Sequence, residues 1–266
     1  MSNDRRTNES FKMFEDNELR DERALSQVKK FKPLIPQFRP NSTYITQFMI
    51  IMVLSGFQIG YAMMCINRIE EFMEIKYDWP KESEATYISI LTGVGIVGLA
   101  FGSLTSGYLM KDGRKRCMLI ATAIGVIGVS IEMIDNFWVI AVGRLIYGYS
   151  CGIYAPCIGR YIEEVLPVHL LPTLFPIYTC GMAASAILVM MAAIVLPNIS
   201  NLEDVKGSEY AWRIFLGIPF LLHAVTTFGI LVLVKHDPPK FLINNGRERE
   251  ALDAIHAIYH KDEKPG

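Results

Sequence analysis

Six long apolar runs, separated by short polar and charged stretches, organise this chain: residues 44–66, 85–110, 117–134, 137–158, 172–196 and 214–234. About 20 residues of α-helix cross the hydrocarbon of a bilayer. Helices satisfy their own backbone polar groups there, and the runs lack the alternation of a membrane β-barrel strand. The pattern therefore predicts an all-α integral membrane protein, a six-transmembrane-helix bundle over residues 44–234. Beyond the last run the chain turns at Asp237, Pro238 and Pro239. Residues 247–260 then place Ala251, Leu252, Ile255, Ile258 and Tyr259 on one helical face. This predicts a cytosolic amphipathic helix within residues 235–266, lying on the membrane surface or on the bundle. Residues 1–43 scatter Phe11, Phe14, Leu19, Leu25 and Val28 among charges, the composition of a mostly disordered tail.

Charge fixes the expected orientation. The first 43 residues carry nine Lys and Arg; Lys111, Arg114, Lys115 and Arg116 follow the second run, and Lys235, Lys240, Arg247, Arg249, Lys261 and Lys264 follow the sixth. The other side offers Arg68, Lys76 and Lys81, diluted by six acids, and Lys206. The positive-inside rule places both termini on the cytosol-like side of a multi-pass protein, as an even number of spans requires.

Composition agrees: 51% of the 266 residues are hydrophobic and 20% charged, and mean hydropathy is +0.27. A net charge of −1 gives no field for a nucleic-acid partner. The acids of the first forty residues argue against a cleaved signal or a mitochondrial transit peptide. Cys65, Cys117, Cys151, Cys157 and Cys180 lie in or beside apolar runs without ligand spacing, so they read as packing residues, with no metal or cofactor implied. No zinc-protease or phosphate-loop motif occurs, and the formal GxSxG of Gly148 to Gly152 lies inside an apolar run, which argues against an enzyme.

Within the runs, Gly56 with Gly60, Gly98 with Gly102 and Gly148 with Gly152 recur at four-residue spacing, the pattern of closely packed membrane helices. Trp79, Trp138 and Trp212 read as boundary anchors. His223 reads as bonding a neighbouring helix, or else lining a polar path. Arg144 is an ionised group inside an apolar run and calls for a partner or a water-filled cavity. Gln58, Asn67, Glu132 and Asp135 are its candidates.

Five motifs occur in a telling order. GYLMKDGRKR (107–116) joins the second and third runs; GRLIYGYSCG (143–152) and YIEEVLP (161–167) lie in and after the fourth; WRIFLGIP (212–219) opens the sixth and DPPKFLINNGREREA (237–251) leaves it. Together they resemble the amino-terminal half of the major facilitator superfamily, in its sugar-porter-like branch, from about Tyr44 to Tyr259.

The resemblance implies a cytosolic gate in which Arg114 pairs with Glu164, with Lys115, Arg116 and Glu163 beside them. It implies a substrate or polar path that includes Arg144, Gln58 and Thr179. The chain departs from the family pattern at several points. Ala62 stands where proton-coupled members carry an Asp in a Gly-Tyr-Asp motif, and Thr179 where a sugar-contacting Gln is expected. Met110 and Lys111 lie near the expected Asp and Arg, and Leu171 replaces an Arg. Because Arg does not titrate near neutral pH, the missing Asp points away from proton symport and towards a facilitator.

Transporters of this superfamily bind solute between two six-helix halves that rock against one another. The expectation is therefore membrane transport of a small polar solute, sugar-like or another organic molecule, with a second six-helix half from this chain or another. The alternative is a non-transporting, transporter-derived structural subunit of a larger membrane complex. The lipid bilayer is a partner in either case.

Overall fold

The computed structural model describes residues 39–194 and 209–260; residues 1–38 of the tail expected over 1–43, and the last six residues, lie outside them. Apart from one two-residue β pairing, the described body is helical. The helices are α1 (Ser42–Met64), α2 (Ile66–Tyr77), α3 (Glu84–Leu109), α4 (Arg114–Glu132), α5 (Phe137–Val165), α6 (Leu171–Ala193), α7 (Glu209–Val232), α8 (Pro239–Asn244) and α9 (Glu248–Ile258). Six of them, α1 and α3 to α7, correspond to the six apolar runs.

Four segments, Ser42–Tyr77, Glu84–Asp112, Leu171–Ala193 and Tyr210–Val232, are long and apolar enough by themselves to cross a membrane. The other two are less apolar: α4 begins with Arg114, Lys115 and Arg116 and ends on Glu132, and α5 carries Arg144 among several tyrosines. Of the 29 residues of α5, 17 are buried. At 1.5 Å per residue α4 and α5 measure about 28 and 43 Å, long enough to cross.

Helix α5 runs through the middle, against α3, α4 and α1, while α6 and α7 pack on α1 and α7 also on α4. Its contact with α3 rests on small residues from both sides. A Cβ built on Gly98 or Gly102 would fall inside contact distance of the Leu145 and Tyr149 carbonyls, and one on Gly148 or Gly152 inside that of the Gly95 and Leu99 carbonyls. The expected packing role of these glycines is realised as two backbones in direct contact.

At two of the three prolines inside the spans, a side chain of a neighbouring helix supplies the missing hydrogen bond. Proline leaves the carbonyl four residues before it without its helical donor, a costly defect in hydrocarbon. Pro219 leaves the Phe215 carbonyl, which accepts from the Tyr61 hydroxyl at 2.8 Å. Pro156 leaves the Gly152 carbonyl, which accepts from Ser103 Oγ at 3.2 Å.

Several expectations need correction. The first span ends at Met64, close to the expected residue 66, but the chain does not then enter a loop: after a break at Cys65 it continues as the unexpected helix α2 to Tyr77. Trp212 is fully buried, against Phe72 and with Lys76 Nζ 4.1 Å from its ring centroid, so it is not a boundary anchor. Trp79 stacks between Tyr77 and Tyr87, and Trp138 alone of the three is exposed. His223 is buried and its Nδ1 bonds the Pro219 carbonyl of its own helix at 2.9 Å. The buried face of α9 is Ala251, Ala254 and Ile258, and Leu252 points outward. Ala251 and Ala254 pack with Phe241 and Leu242 of α8, and Ile258 joins the main core, which seats α9 on the bundle. Four of the cysteines are buried and Cys180 is exposed.

Candidate functional site

Two groups of charged residues mark the ends of the bundle. At the basic end, Gly113 (φ 120°) turns the chain into α4 but has no side chain with which to cap the new helix. A capping acceptor for the first turn comes from elsewhere: Asp237 Oδ1 accepts from the Lys115 amide at 2.8 Å. The turn after the sixth span is thereby tied to the loop after the second. A Cβ on Gly113 would strike the same carboxylate.

Once α4 is placed, Arg114 projects towards the end of α5. Its Nη2 donates to Glu164 Oε1 at 2.8 Å and its Nη1 to the Met110 carbonyl at 3.1 Å, while the guanidinium lies 4.6 Å from the Phe241 ring centroid. The Arg114 and Glu164 side chains are 17% and 12% exposed, so the pair is shielded from water far more than an ordinary surface ion pair. Tyr161, one turn earlier on the same face of α5, donates its hydroxyl to the His236 carbonyl at 2.6 Å. Cys157 lies one further turn in, with Sγ 3.4 Å from the Arg114 carbonyl.

Of the five residues expected at this gate, the structure brings together Arg114 and Glu164. Arg116 pairs with Asp112 at 3.4 Å and Glu163 with Arg160 at 3.8 Å, both exposed contacts within one or two turns of chain. Lys115 takes part through its amide and through Nζ, 3.4 Å from the Lys235 carbonyl. Asp237, Tyr161 and Phe241 were not singled out from sequence. Two signals pointed to them: a helix starting after a glycine needs a borrowed cap, and Tyr161 and Glu164 stand three residues apart.

The second group lies towards the opposite end. Arg144 is 2% exposed; its Nη2 donates to the Ala62 carbonyl at 2.6 Å and its Nη1 lies 3.1 Å from Cys65 Sγ. Its charge partner is Glu132, 1% exposed, with Oε1 3.9 Å from Nη1. A carboxylate thus accompanies Arg144 after all, delivered by the last residue of α4 rather than by position 62. The other three candidates are engaged or elsewhere. Gln58 Nε2 donates to Thr226 Oγ1 at 2.7 Å, Asn67 is exposed, and Asp135 binds Lys76 at 2.7 Å.

Among the polar-path candidates, Arg144 and Gln58 are buried between helices, and Gln58 Oε1 has no hydrogen-bond partner among the described residues. Thr179 is exposed on α6 and returns its hydroxyl to the Pro176 carbonyl at 3.0 Å. No group of His, Cys, Asp and Glu suited to a metal ion occurs among the described residues.

Comparison with known proteins places this architecture. The model of the family described as "Sugar (and other) transporter" matches residues 48–264. Hexose transporter 1 of Plasmodium falciparum is 22% identical over 235 residues, covering 81% of this chain and 45% of that protein. Facilitated glucose transporter member 3 of solute carrier family 2 from Oryctolagus cuniculus is 24% identical over 236 residues, 82% of this chain and 46% of that protein. Among solved structures, the proton:xylose symporter XylE bound to 6-bromo-6-deoxy-D-glucose superposes with a TM-score of 0.72 at 16% identity, covering 82% of this chain and 50% of that one. The partially occluded inward-open form of XylE from E. coli gives 0.69 at 16% identity, covering 81% and 54%. The six-helix bundle is thus that of one half of a major facilitator superfamily protein, and the chain spans about half the length of the relatives it matches. With its bundle, its motifs and 217 matched residues in agreement, the chain belongs to the sugar (and other) transporter family.

Proposed function

We propose that this chain forms one six-helix lobe of a membrane carrier for a sugar-like or other small polar solute, working with a second six-helix lobe. The lobes rock in facilitator fashion, and the basic end, with both chain termini, faces the cytosol. The observation that carries this reading is the shielded Arg114–Glu164 pair, held at 2.8 Å across the ends of two helices. Opposite charges that meet only when helix ends converge form a releasable clamp: they favour the closed state and yield when the ends separate. Asp237 and Tyr161 seat the clamp by fixing the start of α4 and the exit of the sixth span.

Within the lobe, Thr179 is the open polar group, and Gln58 Oε1 is the acceptor that a solute hydroxyl can use once the helices part. Hexose and xylose are the solutes in the names of the relatives, which supports a polyhydroxy compound of that size.

The test is the size and composition of the native detergent-extracted species, followed by solute uptake into liposomes carrying it. A particle with two six-helix lobes and saturable uptake of a hexose or pentose is the expected result. A large stoichiometric complex with unrelated proteins and no flux would instead identify a transporter-derived structural subunit.

A further inference from the structure

We propose that α2 is a hinged strap across the end of the lobe opposite the clamp, turning about Cys65 and held by two separate latches. The inference rests on reading the chain as a moving lobe, but its tests involve no solute.

The hinge has no proline or glycine. Helix α1 ends at Met64, α2 begins at Ile66, and Cys65 between them makes no side-chain cap. The carbonyls of a helix's last turn lack intrahelical donors. In this apolar setting a substitute is required. Arg144 provides it from α5, donating to the Ala62 carbonyl while its other nitrogen approaches Cys65 Sγ. Glu132 balances the charge without a close hydrogen bond: 3.9 Å separates it from Arg144, and its Oε1 accepts from no donor among the described residues. Arg144 therefore acts as a positioning residue on the first span, holding the break shut through its backbone.

The second latch is at the far end of the strap. Lys76, in the last turn of α2, binds Asp135 at 2.7 Å in the short connection between α4 and α5, and Arg213 of α7 reaches the same carboxylate at 3.7 Å. The Tyr77 hydroxyl donates to Asp135 at 3.0 Å, and Trp212 lies under Lys76. Between the latches, Ile69, Phe72 and Met73 supply the strap's buried face. Glu70, Glu71, Glu74 and Asp78 keep the rest of it polar. A short amphipathic helix fixed at its two ends by polar contacts, with a break at one of them, can lift as a unit; a continuous helix cannot.

Hydrogen exchange on the native full chain tests this without mutation. Amides of Ile66–Tyr77 should exchange together, at least about tenfold faster than those of α1 up to Ala62, because they open as one sub-global unit. Exchange over residues 66–77 as slow as in α1 would overturn the proposal. A second measurement uses nitroxides at Glu71→Cys and Ile127→Cys in a Cys180→Ser background, leaving the four buried cysteines in place. The native latches should give one narrow distance; Asp135→Asn with Arg144→Met should add a longer population, and Arg144→Lys with Asp135→Asn less of it. An unchanged distance in a double variant that remains monodisperse would rule out the strap.

Discussion

Replacing Glu164 by Lys should open the basic end of the lobe. The substitution leaves Arg114 anchored by the Met110 carbonyl and the Phe241 ring, and sets a second cation against it in a site largely closed to water. Breaking a shielded pair leaves an uncompensated charge, and about 3 kcal/mol, roughly a hundredfold in the clamp equilibrium, is the expected scale. Cys157 reports the change because it lies directly beneath Arg114 and is fully buried. In a Cys180→Ser background its reaction with a water-soluble maleimide should accelerate strongly in Glu164→Lys. The exchanged pair, Arg114→Glu with Glu164→Arg, should return the rate most of the way. Equal rates in the native chain and in Glu164→Lys would reduce Arg114 to a membrane-surface anchor.

The second large effect concerns the contact between α3 and α5. Ala ordinarily stabilises a helix by about 0.5–1 kcal/mol over Gly. Gly93, with nothing within 4 Å of a built Cβ, should follow that rule. At Gly148 the added methyl meets the Gly95 carbonyl, a backbone atom that no rotamer change can move. The helices must separate, and destabilisation of about 2–3 kcal/mol is expected. Thermal unfolding in detergent should therefore place Gly93→Ala at or above the native midpoint and Gly148→Ala several degrees below it, about 2–4 °C per kcal/mol. Equal midpoints would mean that the two backbones do not meet as described.

These results bear on how much of the molecule can be read from its residues. The six spans follow from run length alone, because hydrocarbon thickness is a strong constraint and each run meets it. The contact between Arg114 and Glu164 was legible from the motif order, which paired these two residues, and from helical phase, which separates Glu164, three residues from buried Tyr161, from the exposed Glu163.

What escaped the sequence depends on which helix lies beside which. The break at Cys65 falls in the stretch Met63, Met64, Cys65 and Ile66, which carries no proline or glycine to announce it. Arg144 had four possible partners, and the choice of Glu132 follows from α4 ending beside α5. Hydropathy likewise cannot tell a tryptophan facing lipid from one facing protein, so Trp212 and Trp138 looked alike although one is buried and the other exposed. The Tyr61 and Ser103 hydroxyls would have been harder still to place, since each bonds a carbonyl that a proline on another helix has freed.

That the basic end closes and opens as solute crosses is the claim on which the account depends. Its most direct test joins the two residues of the clamp: Arg114→Cys with Glu164→Cys, in a Cys180→Ser background, bridged by a short bismaleimide in liposomes carrying the native assembly. Bridging is predicted to stop saturable sugar exchange, while the unbridged double variant continues to exchange. Full exchange through the bridged protein would contradict a clamp that must release within this lobe for solute to cross.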